Sequence, residues 1–130
     1  MTGSTEGARI LLVEDEQNIA LALKFLIEKM GHQVTHIDDG HRALQEVAGL
    51  APDLVLLDLQ LPDIHGYDIL QKMKAPDSPL KRTPVVVLTT TDDKVEIERC
   101  YDLGANVYIT KPVNYETFAQ AIRQLGLFLS

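Results

Sequence analysis

The sequence predicts a single α/β domain, a doubly wound five-stranded parallel sheet with helices on both of its faces. Three observations predict it. Short apolar runs alternate five times with segments of helical periodicity. The central runs, RILLV (9 to 13), LVLLD (54 to 58) and PVVVLT (84 to 89), lack any polar alternation, as strands buried on both faces do. The length of 130 residues is enough for one core but not two.

In chain order, residues 1–7 are small and polar and are expected to form a disordered tail, with the folded domain spanning 8–130. RILLV is the first strand. Ile19, Ala22, Leu23, Leu26, Ile27 and Met30 then recur at helical spacing, and Gly31 stops the helix. QVTHI (33 to 37) alternates as an edge strand would. Ala43, Leu44 and Val47 make a shorter helical stripe before LVLLD, and Ile69 and Met73 mark another after it. Beyond PVVVLT, Asp93 and Glu96 are placed for a capping box, and Gly104 ends that helix. VYIT (107 to 110) is the second edge strand, and Phe118, Ala121, Ile122 and Leu125 line the last helix.

The composition narrows the function. A net charge of -7 argues against direct binding of nucleic acid or an anionic membrane, both of which need clustered Lys and Arg. The first residues lack the apolar stretch of a signal peptide or membrane span. Cys100 is the only cysteine, expected as a small buried hydrophobe, and a reducing cytoplasmic location fits.

In sheets of this kind ligands bind at the carboxyl ends of the strands. Here the first strand ends in Glu14 and Asp15, the third in Asp58, the fourth in Thr89 and the fifth in Lys111. Each alone has an ordinary reading as a cap, a strand residue or a solvated charge. Together they suggest a site. Three clustered carboxylates repel unless a cation is present, and an oxygen-liganded ion such as Mg2+ suits them. One carboxylate could then attack a phosphoryl group whose oxygens the ammonium and hydroxyl hold. Asp58, central in the cluster, is the candidate nucleophile.

The motifs LLVEDE, LVLLDLQLPDIHGYDIL, VVVLTTT and YITKPV, in that order, closely resemble the CheY-like receiver domain of two-component response regulators, over Arg9 to about Leu125. The resemblance implies a flavodoxin-like strand order, 2-1-3-4-5. It implies that Asp58 is the phosphoacceptor and that Mg2+ is bound by Asp15, Asp58 and the backbone carbonyl of Gln60, with Glu14 acting through water. Thr89 would bind the phosphoryl group in the active state, Lys111 would pair with its oxygens, and Lys111 to Pro112 would be a cis peptide. Tyr108 would be the switch aromatic, although from the residues alone it reads as a half-buried strand aromatic. Spacing to Lys111 favours Thr89 over its neighbour Thr90. The implied partner is a sensor histidine kinase or phosphotransfer protein. The domain would not be an enzyme, though it would assist its own phosphorylation and dephosphorylation. Where the family often has an acid before the turn Gly66, this chain has His65, expected as a solvated turn residue rather than a metal ligand. His32, His36 and His41 show no ligand spacing.

Three other classes compare less well or equally. A phosphatase of the haloacid dehalogenase type needs an acid two residues after its nucleophile, where this chain has Gln60. A flavodoxin-like electron carrier needs a phosphate-cradling first loop, and EDEQN would repel phosphate. A phosphorylation-independent pseudo-receiver, acting as a protein-binding module, shares the fold, but it usually lacks an acid or the lysine. The last helix, ETFAQAIRQLGLFLS, is not Arg-rich, so a stand-alone regulator or an excised receiver is expected, with a narrower likeness to partners of bacterial phytochrome kinases. Leu127, Phe128 and Leu129 cannot all face one sheet, which suggests either a frayed end or a homodimer surface built on the last helix.

Overall fold

The computed structural model describes residues 7–90, 92–111 and 114–125, apart from the side chains of 115, 122, 124 and 125. Strands and helices alternate: β1 (Arg9–Val13), α1 (Gln17–Lys29), β2 (Gln33–Ile37), α2 (Gly40–Leu50), β3 (Leu54–Asp58), α3 (Gly66–Met73), β4 (Val85–Thr89), α4 (Lys94–Asp102), β5 (Val107–Thr110) and α5 (Tyr115–Leu125). All strand pairs are parallel, in the order β2-β1-β3-β4-β5. This is the predicted fold class and strand order.

Covering both faces explains the unbroken apolar runs. Leu11, Val13, Val55, Leu57, Val85 and Val87 share one core with residues of α2, α3 and α4. Their neighbours Ile10, Leu12, Leu54, Leu56, Val86 and Leu88 share the other with α1 and α5. Each such aliphatic side chain stabilises the fold by about 1.5–3 kcal/mol relative to exposure. The edge strand β2 exposes Gln33 and Thr35, as its alternation predicts.

Local chemistry sets several helix ends. Asp93 begins α4 by accepting from the Val95 amide at 2.8 Å. Gly31 and Gly104 follow α1 and α4 with φ of +94° and +109°, the left-handed region that terminates helices. In α1 the buried stripe is Ala20, Leu23 and Ile27, flanked by Ile19 and Met30. Ala22, expected on that stripe, faces out, and so do Leu21 and Phe25, 65% and 66% exposed. The segment is apolar nearly all round, so periodicity alone could not fix its face.

Gly7, expected in the tail, donates its amide to the Gly31 carbonyl at 2.9 Å. Among the described residues, no helix is long and apolar enough to cross a membrane. Pro112, and with it the expected cis peptide, lies outside the described residues, as do Leu127, Phe128 and Leu129 of the expected dimer surface.

Candidate functional site

The strand order brings the candidate residues to one edge of the sheet. Pairing of Val13 with Leu57 sets Glu14 and Asp15 beside Asp58, and pairing of Thr89 with Thr110 puts Lys111 next to the end of β4. The Lys111 amide donates to the Thr89 carbonyl at 2.7 Å. Residues up to about a hundred positions apart in the chain thus meet because parallel strands end on the same side.

Glu14, Asp15 and Asp58 each offer a carboxylate oxygen, and these oxygens lie within 4.8 Å of one another. Lys111 Nζ is 2.7 Å from Glu14 Oε1 and 3.3 Å from Asp58 Oδ1. Glu14 is fully buried and Asp58 is 1% exposed. A cleft of about 340 Å3 opens above them, walled by Asp15, Glu16 and Ile19 on one side and Gln60 and Thr90 on the other. The Gln60 amide donates to Asp58 Oδ1 at 3.1 Å, and the Thr90 hydroxyl donates to Gln60 Oε1 at 3.0 Å.

The electrostatics follow from burial. Loss of hydration pushes the Glu14 carboxyl up to about 7, against the pull of the Lys111 ammonium and the Glu16 amide. Asp15 is raised by burial and by its neighbour Asp58. Burial alone would lower Lys111, but Glu14 and Asp58 outweigh it and raise the ammonium. Three carboxylates against one ammonium leave an excess of negative charge. Glu14 Oε1, though close to Lys111, has no well-directed hydrogen bond among the described residues. An all-oxygen cluster whose acids outnumber its ammonium fits a hard divalent cation.

Of the residues expected at the site, Glu14, Asp15, Asp58, Gln60 and Lys111 line the cleft. Thr89 does not. It is fully buried at the end of β4, where strand alternation gives it the parity of Val85 and Val87, and Thr90 forms the wall instead. Spacing to Lys111 singles out Thr89 of the two, whereas alternation along β4 decides which of them walls the open cleft. Tyr108 is half-buried and packs against the core beneath α4. Its phenol is raised chiefly by burial.

Some roles had no sequence signal. His65 is exposed, as expected of a turn residue, but it also begins α3, with Nδ1 accepting from the Tyr67 amide at 3.1 Å. Ile19 lines the cleft from the first turn of α1, which starts two residues after Asp15. Cys100 is fully buried, as expected.

Residues 10–123 match the family model described as the response regulator receiver domain. The sensory transduction protein RegX3 of Mycobacterium bovis is 37% identical over 114 residues, which are 88% of this chain and 48% of RegX3. The chain spans about half the length of the curated relatives it matches. A crystal structure of a response regulator receiver domain from Rhodospirillum rubrum is 50% identical, with a TM-score of 0.74 and 92% of each chain covered. The receiver domain of the sensor histidine kinase PA1611 from Pseudomonas aeruginosa is 28% identical, with a TM-score of 0.81, covering 92% of this chain and 98% of that one. That structure has a magnesium ion coordinated in its active-site cleft.

Proposed function

The chain belongs to the response regulator receiver family, a signalling family of two-component systems, and from that premise we propose that Asp58 is its phosphoacceptor. The observation that carries the reading is that Asp58 meets both the acids of the β1 end and the ammonium of the β5 end, under an open cleft. The acids and the lysine that a pseudo-receiver usually lacks are all present, so the phosphorylation-independent reading has no support.

The phosphoryl group would come from a phosphohistidine of a sensor histidine kinase or phosphotransfer protein. A carboxylate oxygen of Asp58 forms a bond to phosphorus as the phosphorus–nitrogen bond breaks, and the imidazole of the donor leaves. Glu14, Asp15 and Asp58, with the backbone of Gln60, would hold Mg2+. Bound there, the ion would neutralise carboxylate charge and stabilise the charge on the transferring group. Lys111 lies close enough to Asp58 to pair with a phosphoryl oxygen.

The buried Thr89 fits the resting state of a switch. Its hydroxyl would turn toward the phosphoryl oxygens, Tyr108 would follow, and the α4, β5 and α5 surface would change. A cytoplasmic location fits the single buried thiol of Cys100.

Intact-mass measurement after incubation with acetyl phosphate and Mg2+ tests the reading. One added phosphoryl mass is expected in the wild type and none in Asp58→Asn. No gain in the wild type, or an equal gain in the variant, sinks it.

A further inference from the structure

We propose that Tyr67 forms a second route from the phosphorylation site to α4, beside that through Tyr108; the inference rests on Asp58 being the phosphoacceptor.

The first link is a backbone contact. A side chain on Gly66 would come within 2.7 Å of both the Asp58 carbonyl oxygen and the Leu59 Cα. The Gly66 amide also donates to the Leu59 carbonyl at 2.8 Å. The start of α3 therefore rests directly on the backbone of the phosphoacceptor. A displacement of Asp58 toward α3 must move Gly66, because packed backbone has no slack to absorb it.

Tyr67, the next residue, carries that contact to α4. It is 9% exposed and shares a core cluster with Leu59 and Cys100. Its hydroxyl donates to the Glu96 carbonyl at 3.4 Å, and the Arg99 guanidinium carbon lies 4.7 Å from its ring centre. Behind it the His65 ring packs at 4.2 Å and caps its amide. Residue 65 also bridges to Gln60, so the loop after Asp58 closes on the residue that orients Tyr67. Tyr67 is held on one side by the phosphoacceptor loop and on the other by Glu96 and Arg99, about one turn apart on α4.

Tyr67 thus acts as a positioning residue. It touches no reacting atom, but it meets α4 from α3 while Tyr108 meets the same core from β5. Arg99 is exposed, so its side chain can be altered without opening the core. Buried Tyr67 can be replaced by Leu, which keeps an apolar body and loses the ring and hydroxyl.

The test uses the full chain with Mg2+, and beryllium fluoride as the phosphoryl mimic. Fluorine NMR reads occupancy, and hydrogen exchange of residues 94–102 reads α4. In the wild type, the mimic should bind and change exchange in α4. In Tyr67→Leu and in Arg99→Gln, it should still bind, with the exchange response reduced about threefold or more. A purely structural role would shift exchange equally with and without the mimic. A wild-type response retained in both variants, or no response in wild type with the fluoride bound, overturns the route through Tyr67. Absence of bound fluoride in the wild type instead defeats the phosphoacceptor reading and takes this inference with it.

Discussion

Lys111 lies closer to Glu14 than to Asp58: its Nζ is 2.7 Å from Glu14 Oε1 and 3.3 Å from Asp58 Oδ1. The ammonium that would meet a phosphoryl oxygen is thus also the counter-charge of a fully buried acid. Removing it exposes that second role.

Lys111→Met should lower the unfolding free energy by about 3 kcal/mol at pH 8, because it leaves buried carboxylates without their cation. The loss should be smaller at pH 6. Glu14 has its folded pKa raised from 4.5 to about 7, so its contribution to stability is present below 4.5 and fades as pH rises through 7. At pH 6 a proton can replace the missing ammonium. Urea unfolding at the two pH values checks this, and equal losses would assign Lys111 a packing role rather than an electrostatic one.

Divalent cation should stabilise the domain in the absence of any phosphoryl group. Mg2+ at a hundred times its Kd adds about 2.7 kcal/mol if it binds only the folded chain. Asp15→Asn removes a carboxylate at the rim of the cleft and should weaken Mg2+ by about tenfold or more in a calorimetric titration. Unchanged affinity would take Asp15 out of the ligand set.

Most of this site is legible in the sequence because strand ends are. Three apolar runs without alternation and the shorter edge segment VYIT locate the strands, and the residues at their carboxyl ends must share an edge in a parallel sheet. Glu14, Asp15, Asp58 and Lys111 converge for that reason. What the sequence hides is orientation. Thr89 and Thr90 differ by one step of alternation, and only the start of β4 decides which meets the cleft. The face of α1 is hidden for a related reason, since Leu21 and Phe25 are as apolar as the buried Leu23 and Ile27. The contact of Gly66 with the Asp58 carbonyl is hidden too, because it depends on how tightly the loop between β3 and α3 folds back.

Gly66→Ala tests that contact. The added methyl would lie 2.7 Å from the Asp58 carbonyl oxygen and the Leu59 Cα, both backbone atoms with little freedom to retreat. Overpacking of this kind costs about 1–3 kcal/mol. Because the strain falls on the backbone of Asp58, the rate of phosphorylation by acetyl phosphate should fall as well. A stable Gly66→Ala protein with the wild-type rate would mean that the loop shifts without disturbing the phosphoacceptor.

His32 gives the fold an acid limit away from the site. Its buried Nδ1 accepts from the Ala8 amide at 3.0 Å, tying the start of β1 to the turn after α1. Burial lowers its pKa below 6.5, so the neutral ring is the form that fits. The contribution to stability is therefore intact above 6.5 and is lost as pH falls through the lowered folded value. Protonation puts a donor on Nδ1 facing the donor on Ala8, and an unmet buried amide costs about 1–3 kcal/mol. In His32→Asn, an amide oxygen can accept from Ala8 without titrating. Thermal unfolding from pH 8 to pH 5 should show the acid decline in wild type, with a shallower decline in the variant. Identical declines would mean that other groups set the acid limit and that the hydrogen bond from Ala8 contributes nothing to it.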